Sequence, residues 1–354
     1  MKPTPIIIIL LSLFLYAGSA AEAKPSKKEA AQAEETALLP SRNPMAPPVY
    51  MSELPNLNEY DIFANSGWDG NWYLGYNVCW IEKIADIPKS PTGSYRKAFI
   101  GAKVGRAKTR PVEGKPSWDK EPIPGSVYIG LSSTPAWKSN ARYFLVSSLD
   151  IPLEGDSMNA QEYTGEARWF WTEVPIEQVN LEGPNFIAVW SQTDYFTSRD
   201  TAPILCGGWG GKGAPVNTWL NNEIQGAPPI EPADSLKTGI SVFEPAIAMK
   251  LIPEKTEQEI KVQVVEVKDG KKGTPNKTIV SSVAGDLVER AWLEFATVSE
   301  AGAYEKTGRY TYGPPWVFTL NPVTLPKDDI YVRVAVEDAW GNRGYSLPVE
   351  MEIE

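Results

Sequence analysis

From about residue 56 onward, the chain is a succession of short segments rich in Tyr, Trp, Val and Ile, separated by clusters of Gly, Pro, Asn and Ser. Short strands with regular turn signals between them are typical of β-sandwiches and barrels, and helical periodicity is nearly absent here. The segments are NWYLGYNVCWIEKI, RKAFIGAKVGRA, SVYIGLSS, RYFLVSS, ARWFWTEV, NFIAVWSQT, APILCGGW and VNTWLNNEI. Their number and spacing predict a jelly-roll-like β-sandwich over residues 56–232.

A second, smaller all-β unit is predicted over residues 240–354. It follows a break at residues 225–239, QGAPPIEPADSLKTG, whose proline and small polar residues are typical of a linker. In the later segment IYVRVAVEDAW, the side chains of Val332, Val334 and Val336 fall on one face of a strand. We expect this valine face to turn inward, and DAWGNRG to form the turn into a last hairpin strand.

The C-terminal run TLPKDDIYVRVAVEDAWGNRGYSLPVEMEIE resembles the end of a bacterial immunoglobulin-like or fibronectin type III-like domain. In those families a V-x-V-x-A-x-D strand is followed by a G-N turn and a final strand. The resemblance covers residues 240–354 and implies an immunoglobulin-like β-sandwich that serves as a spacer or adhesion module. Residues 56–232 resemble jelly-roll carbohydrate-binding modules in composition and strand rhythm.

The N-terminus has the layout of a secretory signal peptide over residues 1–23, with Lys2, the apolar run IIIILLSLFLYAG and the small residues of SAAEA. Residues 24–55 are Ala-rich and then Pro-rich without sustained periodicity, which predicts a flexible leader. We therefore expect an exported protein of the periplasm, cell surface or extracellular space. After signal cleavage no membrane insertion is expected, and the alternative is an uncleaved anchor.

Charge and residue usage exclude several classes of function. The net charge of −10 argues against a nucleic-acid partner, because such partners reward clustered Lys and Arg. The chain has no histidine, which removes histidine-activated nucleophiles and ordinary zinc sites. We expect no cofactor and no metal, and any enzyme would have to use carboxylates, Lys, Tyr or Arg.

Cys79 and Cys206 are the two cysteines. Both lie in strand-like segments of the predicted first domain, and an oxidising compartment favours disulfides. We expect them to pair, which in the chain-entropy model stabilises the fold by roughly 4–5 kcal/mol for so long a loop. The alternative is two separate buried thiols.

The stretch EARWFWTEV, residues 166–174, carries the most informative aromatic pattern. In a strand, Trp169, Trp171 and Glu173 share one face, and Phe170 lies on the other. Because glutamate is expensive to bury, the tryptophan face is predicted to border a groove, where the two rings suit stacking on successive pyranose rings. The alternative is a core strand with Glu173 at its frayed end.

Three further aromatic residues, Trp137, Tyr195 and Trp209, lie in turn-like segments and are predicted to contact the same ligand. The alternative is that they anchor their loops onto the domain. Together these features predict an exported, non-catalytic binding protein whose partner is a glycan. Two alternatives remain open: a structural or assembly component of the cell envelope that binds other proteins, and a carboxylate-based glycoside hydrolase or lyase.

Overall fold

The computed structural model describes residues 45–61, 72–84, 86–138, 141–155, 167–240, 242–254, 256–270, 275–300 and 302–353. The predicted signal peptide, and the predicted leader as far as residue 44, lie outside these ranges. The described part is nearly all β, which confirms the predicted fold class. No helix of this part is long and apolar enough to cross a membrane.

The strands before residue 225 are β1 (Val49–Met51), β2 (Cys79–Ile84), β3 (Tyr95–Gly105), β4 (Thr109–Pro111), β5 (Lys120–Pro122), β6 (Ser126–Ser132), β7 (Arg142–Ser147), β8 (Ala167–Val174), β9 (Asn185–Ser191), β10 (Ile204–Leu205), β11 (Gly207–Trp209) and β12 (Thr218–Asn221). A short α-helix, α1 (Pro232–Ser235), follows. The later strands are β13 (Gly239–Ile240), β14 (Phe243–Pro245), β15 (Ile247–Pro253), β16 (Lys261–Asp269), β17 (Lys277–Ala284), β18 (Val288–Thr297), β19 (Glu305–Thr311), β20 (Val317–Leu320), β21 (Ile330–Asp338), β22 (Arg343–Tyr345) and β23 (Val349–Met351). Single 3-10 turns lie at Leu57–Glu59, Ser148–Asp150, Ile176–Gln178, Val298–Glu300 and Pro322–Thr324.

The N-terminal sandwich is built from two sheets. One has the order β1-β15-β3-β8, with β10 paired to the end of β3, and the other has the order β13-β12-β2-β9-β6-β7. Their facing residues form one core, in which Ile100 and Phe170 of the first sheet are buried together with Trp80 and Ile129 of the second. We call the face of the first sheet that points away from this core its outer face.

The predicted boundary between the two domains does not match the sheets. β15 lies between β1 and β3, with Leu251 opposite both Val49 and Ala98, so residues 247–253 belong to the N-terminal sandwich. β1 lies within the predicted leader. The proline-rich stretch 225–239 therefore crosses the surface of one sandwich, because the sheet is completed by strands that come from outside the predicted limits 56–232.

The C-terminal sandwich packs the sheet β16-β17-β20 against a sheet of β19, β18, β21, β22 and β23. As the alternation predicts, Val332, Val334 and Val336 are buried in its core, together with Ile279 and Phe318 from the facing sheet. Apolar side chains of both sheets thus leave water together, which is the main driving force for such a fold.

The two sandwiches are in direct contact, and the described residues from Met45 onward form one compact unit. Phe99 and Ile252 of the outer face pack against Ala339 and Trp340 in the turn between β21 and β22. Gly341 of this turn has φ 73°, and a Cβ at this position would lie 2.4 Å from Cζ of Phe99. Glycine is therefore required twice over, by the backbone angle and by the close approach of the ring.

Candidate ligand-binding cavity

β8 is the strand that presents the tryptophans. Phe170 and Val174 are buried in the core, whereas Trp169, Trp171 and Glu173 lie on the outer face, as the alternation predicts. Glu173 is exposed and its carboxylate lies 3.3 Å from Nζ of Lys97. The tryptophan face is therefore not the core of the sandwich.

The two indole rings stack on each other rather than lying side by side. Their centroids are 5.2 Å apart and their planes differ by 14°. The expectation that they form a flat platform for successive pyranose rings is therefore wrong, because each ring covers one face of the other. The stack leaves the ring edges and the outer face of each ring for other contacts, and Tyr50 and Lys250 already lie against Trp171.

Neighbours on the outer face hold the stack in place. Trp171 lies over Gly101, the residue opposite it in β3, and a Cβ at position 101 would lie 2.4 Å from Cε3 of Trp171. Tyr60 meets Trp169 edge-on with centroids 5.7 Å apart, and Tyr50 meets Trp171 at 5.8 Å. Both tryptophans are half-buried as a result.

The indole N–H groups of the stack are available for a ligand. Two core tryptophans bond theirs to the protein: Nε1 of Trp80 donates to the Tyr73 carbonyl at 3.1 Å, and Nε1 of Trp190 to the Gly226 carbonyl at 3.2 Å. Nε1 of the buried Trp137 has no partner among the described residues. Among the described residues, Nε1 of Trp169 and of Trp171 has no such acceptor. Because both rings are only half-buried, these two donors can bond to water or to a ligand.

The stack lines a cavity between the two sandwiches, which we call the junction cavity. Its volume is about 400 Å³. The lining residues are Tyr50, Leu57, Asn58, Lys103, Ala167, Arg168, Trp169, Trp171, Glu289, Arg290, Tyr312 and Glu337. A cavity of this size accommodates a small organic ligand or one to two sugar units.

A β-bulge shapes the wall that the C-terminal sandwich contributes. In the pairing of β18 with β21, Val288 is opposite Asp338 and Arg290 is opposite Glu337, so Glu289 is an extra residue. In a regular strand, the side chains at positions 289 and 290 would point to opposite faces. The bulge turns both toward the cavity, as bulges beside functional sites often do.

The charged groups of this wall are held by ion pairs. Both Nη2 and Nε of Arg290 donate to Oε1 of Glu337, at 2.7 and 3.1 Å, and Nε of Arg343 donates to Oε2 at 2.8 Å. Burial alone would raise the pKa of Glu337, but Arg290 and Arg343 outweigh it and hold the pKa below its ordinary value. Glu337 is therefore a fixed anion.

Glu289 is paired across the junction with Lys250 of β15. Nζ of Lys250 lies 3.3 Å from the Glu289 carboxylate, and the lysine side chain is 2% exposed. Nζ also lies 5.0 Å from the Trp171 ring centroid. Burial raises the pKa of Glu289 and lowers the pKa of Lys250, and the attraction between the two groups opposes both shifts.

The three predicted loop aromatics do not join the described lining of this cavity. Trp137 is 0% exposed and packs with Trp190 on the far side of the second sheet, so the expectation that it contacts a ligand is wrong. Tyr195 is 45% exposed and its hydroxyl donates to the Pro124 carbonyl. Trp209 is 58% exposed and meets Phe243 edge-on. The turn-like sequence around these three residues did not indicate that Trp137 is buried whereas Tyr195 and Trp209 are exposed.

The predicted disulfide is also wrong: neither cysteine forms a disulfide, and both are buried. Cys79 is next to Trp80 in β2, and because neighbouring side chains point to opposite faces, its thiol lies outside the core with Ile81 and Trp190. Cys206 lies inside the core, where Sγ donates to the Tyr60 carbonyl at 3.3 Å. A sheet therefore separates the two thiols.

Several cavity residues were not predicted. Glu337 alternates with the core valines of β21, so the sequence contains a signal for it. Strict alternation places Arg168 on the face of Phe170 and gives no signal that it lines the cavity of the tryptophans. No pattern indicated Lys103, Glu289 or Tyr312, because each reaches the cavity through pairing between distant segments. Within the described ranges, no group of three or more His, Cys, Asp or Glu is placed to hold a metal ion.

No family model and no curated protein matches this chain. Solved structures to which it has a likeness include a β-1,2-glucanase from Parabacteroides distasonis, with a TM-score of 0.22, 10% identity, and coverage of 77% of this chain and 30% of that one. For the glycoside hydrolase domain of Endo-D from Streptococcus pneumoniae R6, the TM-score is 0.23 and the identity 9%, and the match covers 77% of this chain and 32% of that one. For the β-glucuronidase from Ruminococcus gnavus, the TM-score is 0.19 and the identity 11%, and the match covers 89% of this chain and 46% of that one. The chain spans less than half the length of these proteins. Likeness at these scores carries no functional argument.

Proposed function

We propose that this is an exported, non-catalytic binding protein whose ligand is a glycan, bound in the junction cavity. The observation that carries the proposal is the stacked pair of Trp169 and Trp171, whose indole N–H groups have no acceptor among the described residues. Because the two rings are only half-buried, these donors can bond to the hydroxyl groups of a sugar that lies on the stack.

The chemistry of the lining suits a sugar. Sugar rings have apolar C–H faces and polar hydroxyl edges, so their sites combine aromatic rings with a few oriented polar groups. Here Trp169, Trp171 and Tyr50 supply the apolar surface, and Asn58 and Glu289 supply groups for hydroxyls. A lining that combines aromatic rings with polar side chains is typical of a small-molecule site, whereas an interface between domains that excludes water would be more uniformly apolar.

Two features favour binding over hydrolysis. Both oxygens of Glu337 accept bonds from arginines, and Glu289 is paired with Lys250, so each described carboxylate of the cavity already has a cationic partner. A glycosidase needs one carboxyl group that delivers a proton and another that acts as base or nucleophile.

A carboxylate-based hydrolase is the second candidate, and one observation favours it. The pKa of Glu289 is raised and that of Glu337 is lowered, and such a divergence is what acid–base pairs require. Release of reducing ends from a polysaccharide panel, abolished in Glu289→Gln, would support this candidate against the first.

The C-terminal sandwich has a larger role in this proposal than that of a spacer. We propose that it has the immunoglobulin-like architecture that its last strands resemble. It supplies Glu289, Arg290, Tyr312 and Glu337 to the cavity. A ligand in the cavity would therefore contact both sandwiches and favour the arrangement in which they close on it.

The experiment is calorimetric titration of the protein with a panel of oligosaccharides, using wild type, Trp169→Ala and Trp171→Ala. We expect each change to weaken binding by about tenfold or more, by analogy with nucleic-acid bases stacked on protein aromatic rings, whose loss costs on the order of 1–3 kcal/mol. Trp209→Ala is the matched control, because this tryptophan is exposed and lies outside the cavity.

Retention of binding in both cavity variants, or its loss in Trp209→Ala alone, would place the ligand elsewhere. If no oligosaccharide of the panel binds, the glycan proposal fails, and a protein partner of the cell envelope becomes the better hypothesis. Cell fractionation and N-terminal sequencing of the mature chain test export.

A further inference from the structure

The charges around the junction cavity divide into two groups. One group is neutralised within the protein: Arg290 with Glu337, and Glu289 with the buried Lys250. The other group consists of Lys103 and Arg168, which line the same cavity. Among the described residues, neither of these two cations has an acidic partner.

We infer that the ligand is an acidic saccharide, whose carboxylate group binds to Arg168 and Lys103. This inference rests on the proposed function, since it specifies the class of glycan that the same cavity takes. The anionic group would lie beside the tryptophan stack, with the sugar ring on the stack and the charge toward these two residues.

Arg168 is placed to recognise a planar anion. Its guanidinium lies over the Tyr312 ring, with Cζ 4.5 Å from the ring centroid. Stacking of this kind restricts the guanidinium plane and leaves its N–H edge free. Two parallel hydrogen bonds from such an edge to a carboxylate combine strength with orientation. The side chain is exposed at the start of β8, where a ligand can reach it.

Lys103 has a matching arrangement on the floor of the cavity. Its Nζ donates one hydrogen bond to the Tyr60 carbonyl at 2.7 Å, which fixes the position of the charge next to Trp169. An ammonium group has three donors, so two remain for a ligand. The Tyr60 carbonyl is neutral, and no carboxylate of the described residues forms an ion pair with Lys103.

The local charge contrasts with that of the whole protein. The chain carries a net charge of −10 and repels anions at long range. The cavity nevertheless has three cationic side chains against two carboxylates, and burial raises the pKa of Glu289, which weakens the negative contribution further. Cations without an acidic partner in the described part of an otherwise acidic chain are consistent with a ligand of opposite charge.

The test compares two ligands that differ only at the carboxylate group. One is a uronic-acid oligosaccharide, and the other is the same oligosaccharide after chemical reduction of its carboxylates to primary alcohols. Titration of the full chain should show that the acidic form binds about tenfold tighter or more, as expected for a charge-assisted bidentate contact. The difference should shrink as ionic strength is raised from low to physiological salt.

The variants are Arg168→Gln and, as a matched control, Arg110→Gln. Arg110 is an exposed arginine that pairs with Glu121 and does not line the cavity. Arg168→Gln should abolish the preference for the acidic ligand, whereas Arg110→Gln should retain it. Melting curves of both variants check that the fold is intact, and Lys103→Gln serves as a second probe of the same preference.

The outcomes separate this inference from the proposed function. Equal binding of the acidic and the reduced ligand, through the tryptophans, would keep the proposed function and overturn the acidic class. A preference for the acidic ligand that survives in both Arg168→Gln and Lys103→Gln would overturn the assignment to these residues. If neither ligand nor any neutral oligosaccharide binds, the proposed function and this inference fail together.

Discussion

Trp171 lies directly on Gly101 of the neighbouring strand, so close that a Cβ at position 101 would lie 2.4 Å from Cε3 of the indole. Gly101→Ala should therefore displace the ring and disturb its stacking with Trp169. We expect a loss of about 1–3 kcal/mol in the free energy of unfolding, the range for overpacked sites. Urea titration measures this loss, and near-ultraviolet circular dichroism reports the change in the stacked pair.

The double variant Gly101→Ala with Trp171→Ala is the control for this prediction. Removal of the ring relieves the clash with the indole but not the approach of the same Cβ to the Phe170 carbonyl, at 2.6 Å. The second change should therefore cost less in the presence of the first, without becoming neutral. Additive effects of the two changes would contradict a direct contact.

Trp137 and Trp209 are expected to differ sharply in their contribution to stability. Trp137 is 0% exposed and packs with Trp190, whereas Trp209 is 58% exposed. Trp137→Ala should lower the free energy of unfolding by about 3–5 kcal/mol through the cavity it leaves. Trp209→Ala should cost about 1 kcal/mol, the value of its edge-on contact with Phe243. Similar losses in the two denaturation curves would show that the assignment of core and surface is wrong.

The pair of Lys250 and Glu289 connects the two sandwiches, and its two members should not be equally replaceable. Glu289→Met leaves a 2% exposed ammonium without its partner and should cost about 3 kcal/mol or more. Lys250→Met should cost less, because the methionine can pack against Phe99 and Trp171, and the half-buried Glu289 can still reach water in the cavity. Thermal unfolding of both variants measures the two losses of stability. A larger loss for Lys250→Met than for Glu289→Met would contradict this explanation.

Glu82 makes stability depend on pH. Its side chain is 0% exposed in the core of the N-terminal sandwich, and neither of its oxygens has a hydrogen-bond partner among the described residues. Burial raises its pKa well above the ordinary value, and Glu53 and Glu244 raise it further. The folded state therefore holds a proton that the unfolded state releases. The contribution to stability is full below an unfolded-state pKa of about 4.3 and is lost as pH rises through the folded-state pKa.

Glu82→Gln keeps the shape of the neutral acid and should remove this part of the pH dependence. Between pH 4 and neutral pH, we expect the free energy of unfolding to fall less in the variant than in wild type. Glu113→Gln, at an exposed position, is the control and should follow wild type. Parallel pH profiles for Glu82→Gln and wild type would show that Glu82 is already ionised in the folded protein.

The thiols of Cys79 and Cys206 should be free but unreactive in the folded protein. Both are buried, and burial raises the pKa of the Cys206 thiol to about 12. Because the thiolate is the reactive form, alkylation at neutral pH should be negligible until denaturant is added. Intact mass under denaturing, non-reducing conditions should then show two modified cysteines, whereas an unmodified mass that shifts only after reduction would indicate a disulfide.

How much could be predicted from sequence is clearest in β8. Strand alternation alone placed Trp169 and Trp171 together and separated them from Phe170, and the structure agrees. The relation of the two rings to each other was not predictable, because their stacking depends on Gly101 beneath Trp171 and on Tyr60 beside Trp169. Both neighbours arrive from other segments of the chain.

The limits of the N-terminal sandwich illustrate the same difference. A proline-rich stretch was interpreted as a domain boundary, yet β15 beyond it completes the first sheet between β1 and β3. Composition indicates where the chain turns, but it does not indicate whether the next strand returns to the same sheet. The disulfide was likewise predicted from the oxidising compartment, which does not indicate the face of the sheet on which Cys79 lies.

By itself, the sequence determined the all-β class, the alternation of β8 and the inward valine face of β21, because side-chain direction in a strand repeats every two residues and needs no knowledge of partners. The tertiary structure alone decided what covers the outward faces. The junction cavity exists because a bulge at Glu289, an edge strand carrying Arg168 and a buried Lys250 meet across two sandwiches. Contacts between residues so far apart in sequence depend on long-range strand pairing and on the packing of one sandwich against the other. Neither can be predicted from a local sequence pattern.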